Sequence, residues 1–204
     1  MKTLTLIFFI SLFAHGAFAT AQLRVGDILL QPLDCRTCSL IEAEEDTIYS
    51  HMGMVISVGP LLIAEALGRV RALPFEVFNE RTQKGQKLRH LRLKDPEQLR
   101  VLSRGVVNFQ QLFAERFEGR RYDHEFLWDN IDSDGNEALY CSEFVAKMLT
   151  AFLGDIGTPI KRMHFSKNPE EWYRHFGGKI PVGQWGNSPG DFERSPIFEH
   201  LGEM

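Results

Sequence analysis

Cys141 and His51 are the residues whose types and settings lend themselves to covalent chemistry. Cys141 stands in Leu139-Tyr140-Cys141-Ser142-Glu143-Phe144-Val145, at the first turn of an apolar-faced helix. A thiol in that setting is either a core residue, since free cysteine is among the most buried types, or a nucleophile. A helix N-terminus suits the second use: it favours a thiolate and offers backbone N–H groups to an oxyanion. Such a thiolate needs a histidine partner. Of seven histidines, His51 is set apart by Tyr49-Ser50-His51-Met52-Gly53, which places it at the mouth of a buried strand beside small residues. His90, His124, His164, His175 and His200 lie in charged or tail contexts, where surface or packing roles are expected.

The other chemistry-bearing patterns are weaker. Cys35 and Cys38 are close enough to pair in an oxidising compartment, although a CxxC also suits a redox site or half a zinc site. Asp34 stands where thioredoxin-like motifs carry an aromatic residue, and no second Cys pair completes a set of four zinc ligands. A structural disulfide is therefore expected, with Cys141 left unpaired and no metal or cofactor. Asn130-Ile131-Asp132-Ser133-Asp134-Gly135 mimics the start of a calcium loop. Its first position is Asn, and its twelfth, where a bidentate Glu is wanted, is Cys141 itself; a solvated loop is expected. Asp27 reads as a buried structural acceptor, and Arg69, Arg71, Arg120 and Arg121 as scattered surface arginines.

The elements that must position these residues are marked along the chain. Met1-Lys2-Thr3, an apolar run from Leu4 to Phe13 and small residues around Ala19 and Ala21 describe a cleavable secretory signal over 1–21. The apolar run is too short for a comfortable membrane span, and no second one of spanning length follows. His15 and Lys2 leave with the segment, which makes a chain of formal charge −4 slightly more acidic. With 44% hydrophobic and 25% charged residues over 204 positions, disorder and disulfide-scaffold classes are excluded. The acidity argues against nucleic acid as a partner. Strands are expected at 25–31, 52–58, 61–67 and 88–93, with 69–73 continuing the third. One long helix starts with Asp95, Pro96 and a capping box to Gln98, carries Leu99, Leu102, Val106, Phe109, Phe113 and Phe117 on one face, and stops at Gly119. A second is expected from about Ala138 to Leu153, and from about Thr158 an extended tail wraps the core. Strands first and helices after give an α+β domain over 22–204.

Taken together, Gly26-Asp27, Tyr49-Ser50-His51-Met52-Gly53, Glu65-Ala66, Gly119-x-x-Tyr122-Asp123 and Tyr140-Cys141-Ser142-Glu143 resemble the NlpC-type papain-like hydrolases. The closer resemblance is to the circularly permuted YiiX/YaeF-like amidases, because here the His strand precedes the Cys helix. The resemblance implies an antiparallel sheet or half-barrel packed against helices, with the nucleophile at a helix N-terminus. Carried over by position, it implies Cys141 as nucleophile, His51 as base, Glu65 as the residue orienting His51, and Tyr122 as a hydroxyl near the nucleophile.

Strand register tests the role of Glu65. Facing His51 across a hairpin requires a turn centred on Val58, which a three-residue Ser57-Val58-Gly59 loop supplies. A two-residue Gly59-Pro60 turn would put the two side chains on opposite faces. The odd loop is the expectation. The function expected is that of an exported cysteine hydrolase, secreted or periplasmic, cleaving an amide bond through a thioester. Its substrate would be a peptide, a cell-wall fragment or an acylated small molecule. The alternatives are a lipid ester hydrolase or acyltransferase on the same machinery, marked by a deep apolar cleft, and a non-catalytic peptide- or acyl-binding module.

Overall fold

The computed structural model describes residues 22–204, so the leader segment 1–21 and its cleavage positions lie outside the described residues. Strand β1 (Ile28–Gln31) and helix α1 (Arg36–Glu45) precede a meander of β2 (His51–Val58), β3 (Leu61–Leu67) and β4 (Arg69–Pro74). Helix α2 (Phe75–Asn79) and strand β5 (Arg89–Leu93) follow, then helices α3 (Pro96–Arg104), α4 (Val106–Arg116) and α5 (Cys141–Leu153). The chain ends in β6 (Lys161–Arg162), α6 (Pro169–His175), β7 (Trp185–Gly186), α7 (Pro189–Arg194) and β8 (Phe198–Glu203). Six strands form one antiparallel sheet in the order β4-β3-β2-β1-β5-β8. The fold is α+β, an antiparallel sheet packed against helices.

Strand β2 is almost continuously apolar because both its faces are covered. Met52, Met54 and Ile56 pack with Phe144, Val145 and Met148 of α5, while Val55 packs with Ile63 and Phe78 on the other face. Phe109 meets Phe152 edge-on, and Phe113 and Phe117 both meet Phe144, so the aromatic stripe of α4 fastens α5 to the sheet. Each fully buried ring of this kind contributes about 1.5–3 kcal/mol. Asp27 is the structural acceptor expected. Its carboxylate takes hydrogen bonds from Arg92 Nε and Arg24 N–H and lies 2.7 Å from His90 Nε2, which ties β1 to β5. Burial opposes its ionisation, but the bonds from Arg92 and His90 hold its pKa below the ordinary value.

Four local expectations are corrected. The long helix breaks at Gly105 into α3 and α4, and the glycine lets Phe152 pack close, since a Cβ at 105 would lie 2.7 Å from Phe152 Cζ. Asp95 caps α3 by accepting from Glu97 N–H, without the reciprocal box to Gln98. Helix α5 begins at Cys141 rather than Ala138, because Ala138 and Leu139 donate their N–H groups to Asn130 and Arg121 and stay extended. The residues from Thr158 onward are not merely extended: they form two helices, and β8 closes the free edge of β5. The Ser188-Pro189-Gly190-Asp191 capping box that starts α7 is a local signal of this order.

Arg69–Leu73 does not continue β3. Gly68, at φ +72, lets the chain reverse, and β4 folds back so that Arg71 stands opposite Glu65. A continued strand would have carried Arg71 about 20 Å from Glu65.

Candidate active site

The hairpin of β2 and β3 turns at Gly59-Pro60, the two-residue loop, and not at the three-residue Ser57-Val58-Gly59 loop expected. Val58 pairs with Leu61 and Ser57 with Leu62, which by themselves would set His51 and Glu65 on opposite faces. A bulge at Ile56 then inserts one residue into β2, so that Val55 pairs with Ile63 and Gly53 with Glu65. His51 and Glu65 therefore share a face, offset diagonally by one pleat. Gly53 opposite Glu65 leaves room for the contact: His51 Nε2 lies 2.8 Å from Glu65 Oε2.

Glu65 is fully buried and receives three cationic groups. Arg71 donates from Nε and Nη2 to Oε1, Arg81 donates from Nη2 to Oε2, and His51 bonds to Oε2. Burial would raise this carboxyl, but the bond and charge of His51 and of Arg81 bring its pKa down to about 2. His51 is 2% exposed. Burial would lower it too, yet hydrogen bonds to Cys141 and Glu65 raise its pKa to about 9. With Nε2 turned to Glu65, Nδ1 is the ring nitrogen left for the Cys141 thiol.

Cys141 is the free cysteine among the described residues, and it is the first residue of α5. The opening N–H groups of a helix have no acceptor within it and point past its end. Cys35 and Cys38 are joined as a disulfide at the start of α1, where Cys35 Sγ also caps the helix by accepting from Cys38 N–H.

Tyr122 stands beside Cys141 on the strand-like segment that enters from α4. Gly119 N–H bonds to Val70, Tyr122 N–H to Gly68 and Leu139 N–H to Arg121, so this segment lies against the β3–β4 turn. Asp123 is buried and accepts from Glu125 N–H, Leu127 N–H and Asn130 Nδ2, which fixes the loop behind Tyr122. Burial pushes the Tyr122 phenol well above its ordinary pKa, with the charges of Cys141 and Asp123 adding to this, so it stays a neutral hydroxyl. The calcium-like segment is closed by its own backbone, with Asp132 accepting from Asp134 N–H and Asn136 N–H.

A small cleft of about 30 Å³ opens next to Cys141 and Tyr122. Ile41 of α1, Phe126, Tyr140, and Met163, Phe165 and Trp172 of the C-terminal segment give it an apolar wall. Arg71, Arg81 and this wall were not singled out as site residues from sequence. The signal for Arg71 was Gly68, a turn residue three positions after a buried acid. Neither Arg81 nor the wall had a local signal, since each is brought in from a distant element.

A family profile described as permuted papain-like amidase enzyme, YaeF/YiiX, C92 family, matches residues 22–197. The crystal structure of metalloprotein yiiX from Escherichia coli O157:H7 is similar, with a TM-score of 0.71 and 25% sequence identity, over 89% of this chain and 97% of that one. No curated protein matches the chain. The chain belongs to the permuted papain-like amidase family and has its fold.

Proposed function

We propose that the protein is an exported cysteine hydrolase that cleaves an amide bond, with Cys141 as nucleophile, His51 as its acid–base partner and Glu65 orienting His51. The observation that carries this reading is the buried His51 imidazole, 2.8 Å from the buried Glu65 carboxylate and raised to a pKa of about 9 by interactions with Cys141 and Glu65. The thiolate would attack the carbonyl carbon, and the N–H groups at the start of α5 would hold the oxyanion. The leaving amine would take the His51 proton. Water would then give a proton to His51 and hydrolyse the thioester. Tyr122, beside Cys141, would offer its neutral hydroxyl to the reacting carbonyl.

Export is supported by the leader-like segment 1–21 and by the Cys35–Cys38 disulfide, which suits an oxidising compartment. No helix among the described residues is long and apolar enough to cross a membrane. A peptide, a cell-wall fragment or an acylated small molecule remains the proposed substrate class. A second reading, ester hydrolysis or acyl transfer on a lipid, is favoured by the apolar cleft beside Cys141. Against a non-catalytic binding module stands the combination of Cys141 at a helix start with the buried His51–Glu65 pair.

The word metalloprotein describes the E. coli chain. Among the described residues here, Asp129, Glu137 and Glu143 bring carboxylates together, but Lys147 Nζ forms ion pairs with all three. Its ammonium supplies the charge a cation would bring, so these residues as arranged do not fit a metal ion.

Labelling with a thiol-reactive electrophile at neutral pH, followed by mass spectrometry, tests the proposal. The protein is expected to be modified at Cys141, and the His51→Ala variant far more slowly. Equal rates would remove the activated thiolate.

A further inference from the structure

We propose that Arg81 is a positioning residue that acts through Glu65: its guanidinium shares one carboxylate oxygen with the His51 imidazolium, and its charge there limits how tightly His51 holds its proton. This rests on the hydrolase reading above and adds what tunes the acid in it. The two arginines on Glu65 divide its oxygens. Arg71, from β4, donates Nε and Nη2 to Oε1 at 3.1 and 3.0 Å, the oxygen that His51 does not touch. Arg81, just past α2, donates Nη2 to Oε2 at 2.5 Å, and His51 Nε2 lies 2.8 Å from that same atom. Two cationic groups thus stand side by side on one oxygen, in a site where Glu65 and His51 are both buried.

The fold builds this placement from several elements. Phe78 is fully buried, lies 5.9 Å from the His51 ring between centroids, and has the Arg81 guanidinium over its face at 5.5 Å. Gln31, the residue of β1 paired with His51, donates Nε2 to the Phe78 carbonyl and to Thr82 Oγ1. Gln83 N–H bonds to the Pro32 carbonyl, so the turn bearing Arg81 is fastened to the end of β1 on either side of that residue. Arg81 Nη1 is buried without a partner, which costs stability. Hydrogen bonding of the guanidinium itself therefore does not account for where it sits.

A positive charge beside an imidazolium disfavours it, and more strongly in a buried site than in water. Glu65 and the Cys141 thiol act the other way, both favouring the protonated ring. The other charged or titratable groups facing the pair, among the described residues, are Arg71 on the far oxygen and, beyond the thiol, Tyr122; Gln31 from β1 is uncharged. Arg81 is therefore the cation on the oxygen of the His51 bond. Without it Glu65 stays ionised through Arg71, but Oε2 belongs to His51 alone and the imidazolium gives up its proton less readily. That proton is the one a leaving amine takes, so Arg81 keeps His51 an effective acid as well as a partner for the thiolate.

An NMR titration of the protein carrying 13C-labelled histidine reads the His51 midpoint directly, with His51→Ala assigning the signal. Arg81→Met is expected to weaken His51 as an acid about threefold or more, a rise of roughly half a pH unit, opposite in direction to the effect of removing the Glu65 charge. Arg81→Gln, which keeps a donor for Oε2 but no charge, is expected to raise the midpoint likewise, and Arg81→Lys to bring it back towards the parent value. An unchanged or lowered midpoint in Arg81→Met overturns the proposal, as does a parent-like midpoint in Arg81→Gln, which decides the matter if the Met variant does not fold. The titration needs no substrate, so its failure leaves the hydrolase reading standing. That reading falls instead if iodoacetamide, in a parallel sample, modifies Cys141 equally fast with and without His51.

Discussion

Glu65 pairs with Gly53 and not with His51, and that offset is what brings its carboxylate to His51 Nε2 at 2.8 Å. The two side chains meet on the diagonal of the sheet, a separation that long polar groups can span. The position directly across from Glu65 holds a glycine, and a Cβ there would lie 2.6 Å from Ile63 Cγ2 and 2.9 Å from Phe78 Cε2.

Gly53→Ala therefore forces two buried side chains to move. It is expected to destabilise the fold by about 1–3 kcal/mol, the range for overpacked cores, and to slow modification of Cys141. Urea denaturation and electrophile labelling of the same sample check both. An unchanged unfolding midpoint would mean that the sheet here has slack, and that the glycine is not required for the contact.

The pH dependence of turnover follows from His51. Its pKa is about 9, so the imidazolium that protonates a leaving amine is present through neutral pH and is lost above that value. Turnover of an amide is expected to fall as pH rises through about 9. Glu65→Gln removes a carboxylate that lifts His51, and the alkaline limb should move to lower pH. A kcat/KM profile of both proteins reads this directly. A limb that stays in place would remove Glu65 from the control of His51.

Stability depends on pH through the same two residues, with opposite signs. His51 is raised from 6.5 to about 9, so its contribution is complete below 6.5 and lost as pH rises through 9. Glu65 is lowered from 4.5 to about 2, so its contribution is present above 4.5 and lost as pH falls through 2. Thermal midpoints should decline on both sides of the interval from 4.5 to 6.5 on account of this pair. Glu65→Ala leaves His51 and two arginines without their shared acceptor and is expected to cost about 3 kcal/mol at pH 6. A loss below 1 kcal/mol would mean that water or another acid takes over.

The disulfide closes a short loop between Cys35 and Cys38 at the head of α1, the helix that carries Ile41 into the cleft. Replacing both cysteines by serine is expected to cost about 2 kcal/mol by loop-closure entropy. Calorimetry with and without reductant should show the same loss of midpoint in the reduced parent. A reduced parent that melts with the oxidised one would show that α1 needs no clamp.

Much of the site was legible because its signals are local. Cys141 sits at a helix start, and His51 sits at a strand mouth next to Gly53; neither placement needs any residue beyond its neighbours. The helix interruption at Gly105 was legible only in part. A glycine inside an apolar stripe is tolerated or breaks the helix depending on what approaches it, and Phe152 lies in a different helix. The compact C-terminal segment was hidden for a related reason. Its elements are too short to show a period, and they are held by aromatic contacts among Phe126, Phe165 and Trp172 that span the chain.

The sequence by itself determined the residue types, the order of His strand before Cys helix, and the caps and stops that mark most elements. Register, reversal and the cleft were decided by the tertiary structure. The bulge at Ile56 sets His51 and Glu65 on one face, the turn at Gly68 returns Arg71 to Glu65, and the C-terminal segment closes the apolar wall. The physical reason is that a one-residue slip leaves local composition almost unchanged but moves a whole strand of side chains to the other face. Only the packing of both faces of β2, against α5 and against Phe78, distinguishes the two arrangements.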